Sequence, residues 1–79
     1  MDSKQVTHAV MNVVAKVAKK DVMELTPETR IAEDLGLKSM SRIEVAALIE
    51  DETNVFIDNF EIRAPKTVAE LIDLVVSKL

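Results

Sequence analysis

The chain has 79 residues, no cysteine and a formal net charge of −4. The absence of cysteine excludes disulfides, thiolate metal sites and a cysteine nucleophile, and an acidic surface repels nucleic acid phosphates and anionic lipid. No apolar run approaches the roughly 18 residues of a membrane span, and the N-terminus lacks the pattern of a signal peptide. We therefore expect one cytoplasmic, monomeric domain over residues 1–79, without nucleic acid binding or membrane insertion.

The charge is unevenly distributed along the sequence. Residues 1–20 have a balance of +3, whereas residues 21–61 have a balance of −8, with eleven acids against three bases. This acidic middle is consistent with a surface that attracts basic patches of a partner protein. It is equally consistent with acids that only keep a small protein in solution.

An amphipathic helix is predicted at the N-terminus, with Asp2 or Ser3 as its cap. Its apolar stripe has the spacing i, i+3, i+4, i+7, i+8 and i+11 and consists of Val6, Ala9, Val10, Val13, Val14 and Val17. Because Phe56 and Phe60 are the only aromatic residues, the core is expected to be aliphatic.

The connection over 21–38 can be interpreted in two ways. Thr26-Pro27 is a favourable start and Gly36 a favourable end for a short helix at about 27–34, but a structured loop fits equally well. The residues expected to anchor this segment to the core are Val22, Leu25, Ile31, Leu35 and Leu37.

The second half predicts a helix from about Ser39 to Thr53, then a short helical turn over Asn59–Arg63 capped by Asp58. Thr67 is predicted to start the last helix, with Glu70 completing a capping box. The apolar stripe of that helix consists of Val68, Leu71, Leu74 and Val75. The predicted fold is all-α, a small bundle of three main helices plus one short helix.

No catalytic group is apparent in the sequence. His8, the only histidine, is expected on the surface of the first helix, and nothing resembles a nucleophile elbow. Gly36 is the only glycine, which excludes a glycine-rich phosphate loop. The run Glu50-Asp51-Glu52 lacks the alternating spacing of a calcium loop and is interpreted as a solvated helix end.

Ser39 is the main candidate for a functional residue in this sequence. Leu35 and Leu37 flank Gly36 and are expected to pin the loop to the core, so that Ser39 lies at the start of a helix. Its hydroxyl can act there as an N-cap that accepts a backbone hydrogen bond. Alternatively, a phosphate esterified to it would lie near free N–H groups and the positive end of the helix dipole.

The helix after Ser39 has two opposed apolar stripes. One consists of Met40, Ile43 and Ala47, and the other consists of Val45, Ala46 and Ile49. Glu44 and Asp51 border the first stripe, which is either a docking surface for a partner or part of a wide core face.

The segment Asp34-Leu35-Gly36-Leu37-Lys38-Ser39-Met40 resembles the Asp-Leu-Gly and Asp-Ser-Leu motif of the acyl carrier protein family. The resemblance extends over nearly the whole chain and includes Thr26-Pro27, the acids of the second helix and Thr67-Val68. It implies an acyl-carrier-like bundle in which Ser39 receives 4'-phosphopantetheine from coenzyme A through a phosphopantetheinyl transferase. The thiol of that arm then carries an acyl thioester.

The family uses the second helix for recognition, so the resemblance implies a partner-binding face of Lys38, Met40, Ile43, Glu44 and Ala47, with Asp51 at its border. The implied partners are the transferase, acyltransferases or acyl ligases, a ketosynthase and other enzymes of fatty acid, polyketide or specialised lipid synthesis. The family supplies no catalytic group of its own. An acyl chain can lie between its helices, and small Ala46 and Ala47 are compatible with that.

Three residues depart from the family pattern. Lys38 stands where Asp is common, Arg42 puts a cation in the recognition helix, and Thr53 replaces a large apolar residue. These departures favour a specialised carrier with dedicated partners. An aminoacyl or peptidyl carrier and a helical interaction module without an arm stay open as alternatives.

Overall fold

Three α-helices and two short 3-10 helices make up the computed structural model, which describes residues 1–79. In chain order these are α1 (Ser3–Ala18), a 3-10 helix (Val22–Glu24), α2 (Ser39–Thr53), a 3-10 helix (Glu61–Arg63) and α3 (Val68–Val76). The predicted all-α bundle is confirmed, and the sequence patterns missed only the first 3-10 helix. None of the helices has both the length and the apolar character needed to cross a membrane.

The core is a cluster of 17 buried apolar residues, all aliphatic, in which α1 packs against α2 and α3. The fully buried side chains include Val6, Val10 and Val14 of α1, Ile49 of α2, and Val68, Leu71 and Val75 of α3. Phe56 and Phe60 are 63% and 81% exposed. The expected aliphatic core is therefore confirmed, and the aromatic residues lie on the surface.

Helix α1 begins at a capping box and ends at a left-handed residue. The Asp2 carboxylate accepts from the Gln5 N–H (2.8 Å), and the Gln5 side chain accepts from the Asp2 N–H (3.0 Å). Asp2, rather than Ser3, is therefore the N-cap. Lys19 terminates the helix with φ 59°.

The segment over 27–34 is a structured loop, so the predicted alternative of a helix there is wrong. Its backbone is tied to the start of α3 by three hydrogen bonds: Ile31 N–H to Lys66 O (2.9 Å), Val68 N–H to Thr29 O (3.0 Å) and Ala69 N–H to Pro27 O (2.9 Å). These bonds use backbone groups that a helix would have needed for its own ladder. The loop is held by α3 instead.

Most of the predicted loop anchors are confirmed. Leu25, Ile31 and Leu37 are buried and Leu35 is half-buried, but Val22 is 37% exposed in its 3-10 helix and is not an anchor. Gly36 adopts φ 67°, a left-handed conformation that favours glycine, and its N–H donates to Ala32 O (2.9 Å). This turn directs the chain from the loop into α2.

The two caps in the second half differ in outcome. The Asp58 carboxylate accepts from the N–H groups of Phe60 (2.9 Å) and Glu61 (2.7 Å), so Asp58 caps the turn at 59–60. The 3-10 helix itself begins at Glu61 rather than at Asn59. Thr67 Oγ1 accepts from the Glu70 N–H (3.2 Å), but the Glu70 carboxylate accepts from Lys66 N–H rather than Thr67 N–H. The capping box is thus wrong in its second half, where the chain enters α3 from a β-bridge between Thr67 and Arg30.

The acidic middle predicts that thermal stability rises with salt. Its acids are exposed or half-buried, and only Asp34 and Glu61 lie in ion pairs, with Arg30 (3.1 Å) and Lys78 (2.7 Å). The other acids repel one another, and salt screens this repulsion over about 10 Å at 0.1 M. Melting temperatures should rise with sodium chloride and rise further with magnesium chloride. Constant melting temperatures across both series would contradict the prediction.

Candidate functional site

Ser39 is the first residue of α2, and the N-cap is Lys38 in an extended conformation. No side chain caps this helix, and the exposed Ser39 hydroxyl makes no hydrogen bond within the protein. The N-cap interpretation of Ser39 is therefore wrong by one position. The hydroxyl is left available for chemistry.

The uncapped start of α2 suits a phosphate group. The N–H groups of Ser39, Met40 and Ser41 have no intrahelical partner because they belong to the first turn. They carry the positive end of the helix dipole, equivalent to about half an elementary charge. A phosphate joined to Ser39 Oγ would lie beside these donors.

A surface cleft of about 550 Å³ opens beside Ser39. The residues that line this Ser39 cleft are Ala32, Leu37, Lys38, Ser39, Arg42 and Arg63. Three of them are cationic and none is acidic. The α1–α2 loop, the first turn of α2 and the 3-10 helix Glu61–Arg63 thus converge on a cationic environment that fits an anionic ester.

The lining of the Ser39 cleft includes no carboxylate and no histidine that could accept the hydroxyl proton of Ser39. Its lysine and arginine side chains are hydrogen-bond donors and not acceptors. His8 is exposed on α1, as expected, and lines a different cleft with Met11, Asn12 and Val22. The cleft therefore exposes the Ser39 hydroxyl without a histidine or carboxylate in its lining.

Helix α2 buries one of its two apolar stripes. Val45, Ala46 and Ile49 are buried, whereas Met40 is 79% and Ile43 36% exposed, and Glu44, Ala47 and Asp51 are also exposed. The Met40 stripe therefore lies on the surface and is not part of a wide core face. Whether partners contact it stays a prediction.

Phe56 extends this apolar surface beyond α2, which the sequence patterns missed. It lines a groove of about 170 Å³ together with Ile43, Ala47 and Ile57. The sequence contained this information, because Phe56 lies between Val55 and Ile57, two aliphatic residues that are both buried. In an extended segment, successive side chains point to opposite sides. An alternating pattern places the middle residue outside.

Arg42 has a structural role that the sequence did not reveal. Its Nη1 donates to the backbone carbonyls of Ile62 (3.0 Å) and Pro65 (2.7 Å), and its side chain is partly buried. The guanidinium therefore joins the first turn of α2 to the connection before α3. It is a tether within the fold as well as a cation beside Ser39.

Thr53, the other departure inside α2, is accommodated by hydrogen bonding. It is 8% exposed, its hydroxyl donates to Ile49 O (2.7 Å), and it accepts from the Val55 N–H (3.2 Å). Both polar functions of the hydroxyl are thereby satisfied in a buried position. The threonine ends α2 and turns the chain toward Val55.

Comparison with known proteins gives a consistent answer. A family profile described as "Phosphopantetheine attachment site" matches residues 8–75. The acyl carrier protein of Thermosynechococcus vestitus is 29% identical over 79 residues, covering 100% of this chain and 98% of that protein. That of Rickettsia bellii (strain RML369-C) is 33% identical over 66 residues, covering 84% and 77%.

A plant relative is longer than this chain. "Acyl carrier protein 2, mitochondrial" of Arabidopsis thaliana is 30% identical over 77 residues, covering 98% of this chain. The match spans only 61% of the length of the Arabidopsis protein. The family profile over most of the chain and these relatives show that the chain belongs to the acyl carrier protein family, whose prosthetic group is 4'-phosphopantetheine.

Proposed function

We propose that this protein carries acyl intermediates as thioesters on a 4'-phosphopantetheine arm esterified to Ser39. The observation that supports this most directly is the exposed, unbonded hydroxyl at the first position of α2, within the region matched by the family profile. The enzymes served are those of fatty acid, polyketide or specialised lipid synthesis. Residues 1–79 act as one acyl carrier domain.

In this proposal the chain contributes an acceptor and its placement. Buried Leu37 and Ile31 fix the loop that leads into Ser39. A bond forms from Ser39 Oγ to phosphorus, the pyrophosphate bond of coenzyme A breaks, and the adenosine bisphosphate leaves. The hydroxyl proton passes to a base of the phosphopantetheinyl transferase, because the Ser39 cleft contains none.

The remaining partners follow from this function. They are acyltransferases or acyl ligases, a ketosynthase and other acyl-processing enzymes, and the protein itself supplies no catalytic group. A monomeric state and a cytoplasmic location stay predictions, and the Arabidopsis relative is named as a mitochondrial protein.

Intact mass tests the proposal. After incubation with coenzyme A and a phosphopantetheinyl transferase, the protein should gain the mass of one arm. An unmodified protein would favour the alternative of a helical interaction module. The mass of the protein isolated from its native cell identifies the cargo, and an aminoacyl or peptidyl group there would contradict acyl carriage.

The exposed stripe of α2 predicts a docking defect for Ile43→Asp. Placing a carboxylate in an apolar contact should remove about 1.4 kcal/mol of binding or more, which is about tenfold or more in kcat/KM with a ketosynthase. Met23→Asp is the matched control, because Met23 is 89% exposed but belongs to the α1–α2 loop. Circular dichroism checks the fold. If Ile43→Asp unfolds the protein, the stripe belongs to the core.

Lys38 predicts a partner-selection effect. A cation beside the attachment site should reject enzymes built to receive an aspartate there, through like-charge or unpaired contacts. Lys38→Asp should therefore speed modification by a general transferase at an unchanged melting temperature, whereas Lys4→Asp, the same change in α1, should not. Equal rates for all three proteins would mark Lys38 as a tolerated surface substitution.

A further inference from the structure

We propose that the Ser39 cleft holds the phosphodiester of the attached arm through Lys38 and Arg63, with Arg42 as a fixed positive neighbour. The inference rests on attachment at Ser39, and it adds binding residues for the first charged group of the arm. The arm would then leave the protein from a defined side of α2, the side of the 3-10 helix Glu61–Arg63.

The three cationic side chains of the Ser39 cleft have no carboxylate partner within the protein. In a protein of net charge −4, only Arg30 and Lys78 lie within 4 Å of a carboxylate. Lys38, Arg42 and Arg63 have no such partner, although all three line one cleft. Their mutual repulsion is relieved when an anion enters.

Two other lysine-containing clefts provide a contrast. The cleft that contains Lys20 also contains Glu24 and Asp34, and the cleft that contains Lys16 also contains Glu52. Each of those lysines shares its cleft with at least one carboxylate of the protein itself. The Ser39 cleft has no acidic side chain, so its counter-charge must come from outside the protein.

The two arginines are restrained in different ways. Arg42 is held because Nη1 donates to both carbonyls of the α2–α3 connection, which leaves Nε and Nη2 without a protein partner. The Arg63 guanidinium lies 5.5 Å from the centroid of the Phe60 ring. Contact with the ring face uses no N–H group, so Arg63 keeps its donors for a phosphate oxygen.

The Nε–Hε signals of the arginines in ¹⁵N-labelled protein test the inference directly. The Arg63 signal should move downfield when the apo protein is converted to the holo form, whereas the signal of Arg30, which is paired with Asp34, should not move. Intact mass verifies conversion in the same sample. An unmoved Arg63 signal in fully converted protein overturns the inference.

Melting temperatures give a second readout. One exposed ion pair shifts the melting temperature of a domain of this size by at most about 4–8 °C. At low salt, Arg63→Gln should lower the melting temperature of the holo form by about 2–5 °C more than it lowers that of the apo form. Lys4→Gln, the matched control in α1, should show no such difference. If Arg63→Gln lowers the melting temperature equally in the apo and holo forms, Arg63 does not contact the phosphodiester.

Titration of the apo protein with free 4'-phosphopantetheine separates this inference from the proposed function. A saturable Arg63 shift that weakens with salt supports the cleft even if the transferase leaves Ser39 unmodified, and only the proposed function then fails. If the transferase modifies Ser39 but the Arg63 signal moves in neither experiment, the inference about the Ser39 cleft is overturned and the proposed function stands.

Discussion

Ser39→Ala should abolish attachment of the arm, so that intact mass after incubation with coenzyme A and a transferase stays that of the apo protein. No other serine offers an equivalent hydroxyl. Ser41 is half-buried within α2, Ser3 begins α1 far along the sequence from the loop, and the Ser77 hydroxyl donates to the Leu74 carbonyl (2.6 Å). The expected loss is complete, because the attachment oxygen itself is removed.

The same substitution should leave the fold intact. If Ser39 were the N-cap, its loss would cost about 1 kcal/mol, but Ser39 occupies the first helical position and its hydroxyl makes no hydrogen bond. Alanine has the higher helix propensity, so the free energy of unfolding should change by less than about 0.5 kcal/mol. Urea denaturation measures this change.

Ser41→Ala is the matched control, since it removes a neighbouring hydroxyl from the same helix and should still gain one arm. A Ser39→Ala protein that gains the mass of the arm would refute the assignment. A Ser39→Ala protein that is strongly destabilised would show that the hydroxyl has a structural partner.

Features encoded by neighbouring residues could be predicted from the sequence. The bounds of α2 and the Asp58 cap depend on periodicity and on hydrogen bonds that span two or three residues. The two opposed apolar stripes of α2 were evident from the sequence, but only the packing shows that the Met40 stripe is the exposed one. Local patterns therefore located the helix that carries the candidate site and left its surface face open.

Features that depend on distant residues could not be predicted in the same way. The choice between helix and loop over 27–34 is decided by backbone bonds to residues 66–69, which no local rule anticipates. The shift of the N-cap from Ser39 to Lys38 depends on the extended backbone of Lys38, directly after the buried Leu37. Tertiary contacts set these details.

Arg42 shows this limit most clearly, and it gives the largest expected effect on stability. Its carbonyl partners are 20 and 23 residues away in the sequence, so its position in α2 indicated a surface cation and not a tether. Hydrogen bonds to charged groups contribute about 1.5–3 kcal/mol each, and the two bonds share one Nη1 atom. Arg42→Met should therefore lower the free energy of unfolding by about 2–3 kcal/mol.

The corresponding fall in melting temperature is about 10–20 °C for a domain of this size. Arg63→Met is the matched control, because the Arg63 side chain is exposed and donates no hydrogen bond within the protein, and its loss should cost less than about 1 kcal/mol. Arg42→Lys, which keeps the charge but lacks the forked geometry, should fall between the two. Equal losses for Arg42→Met and Arg63→Met would show that the two carbonyl contacts do not tether α2 to the connection before α3.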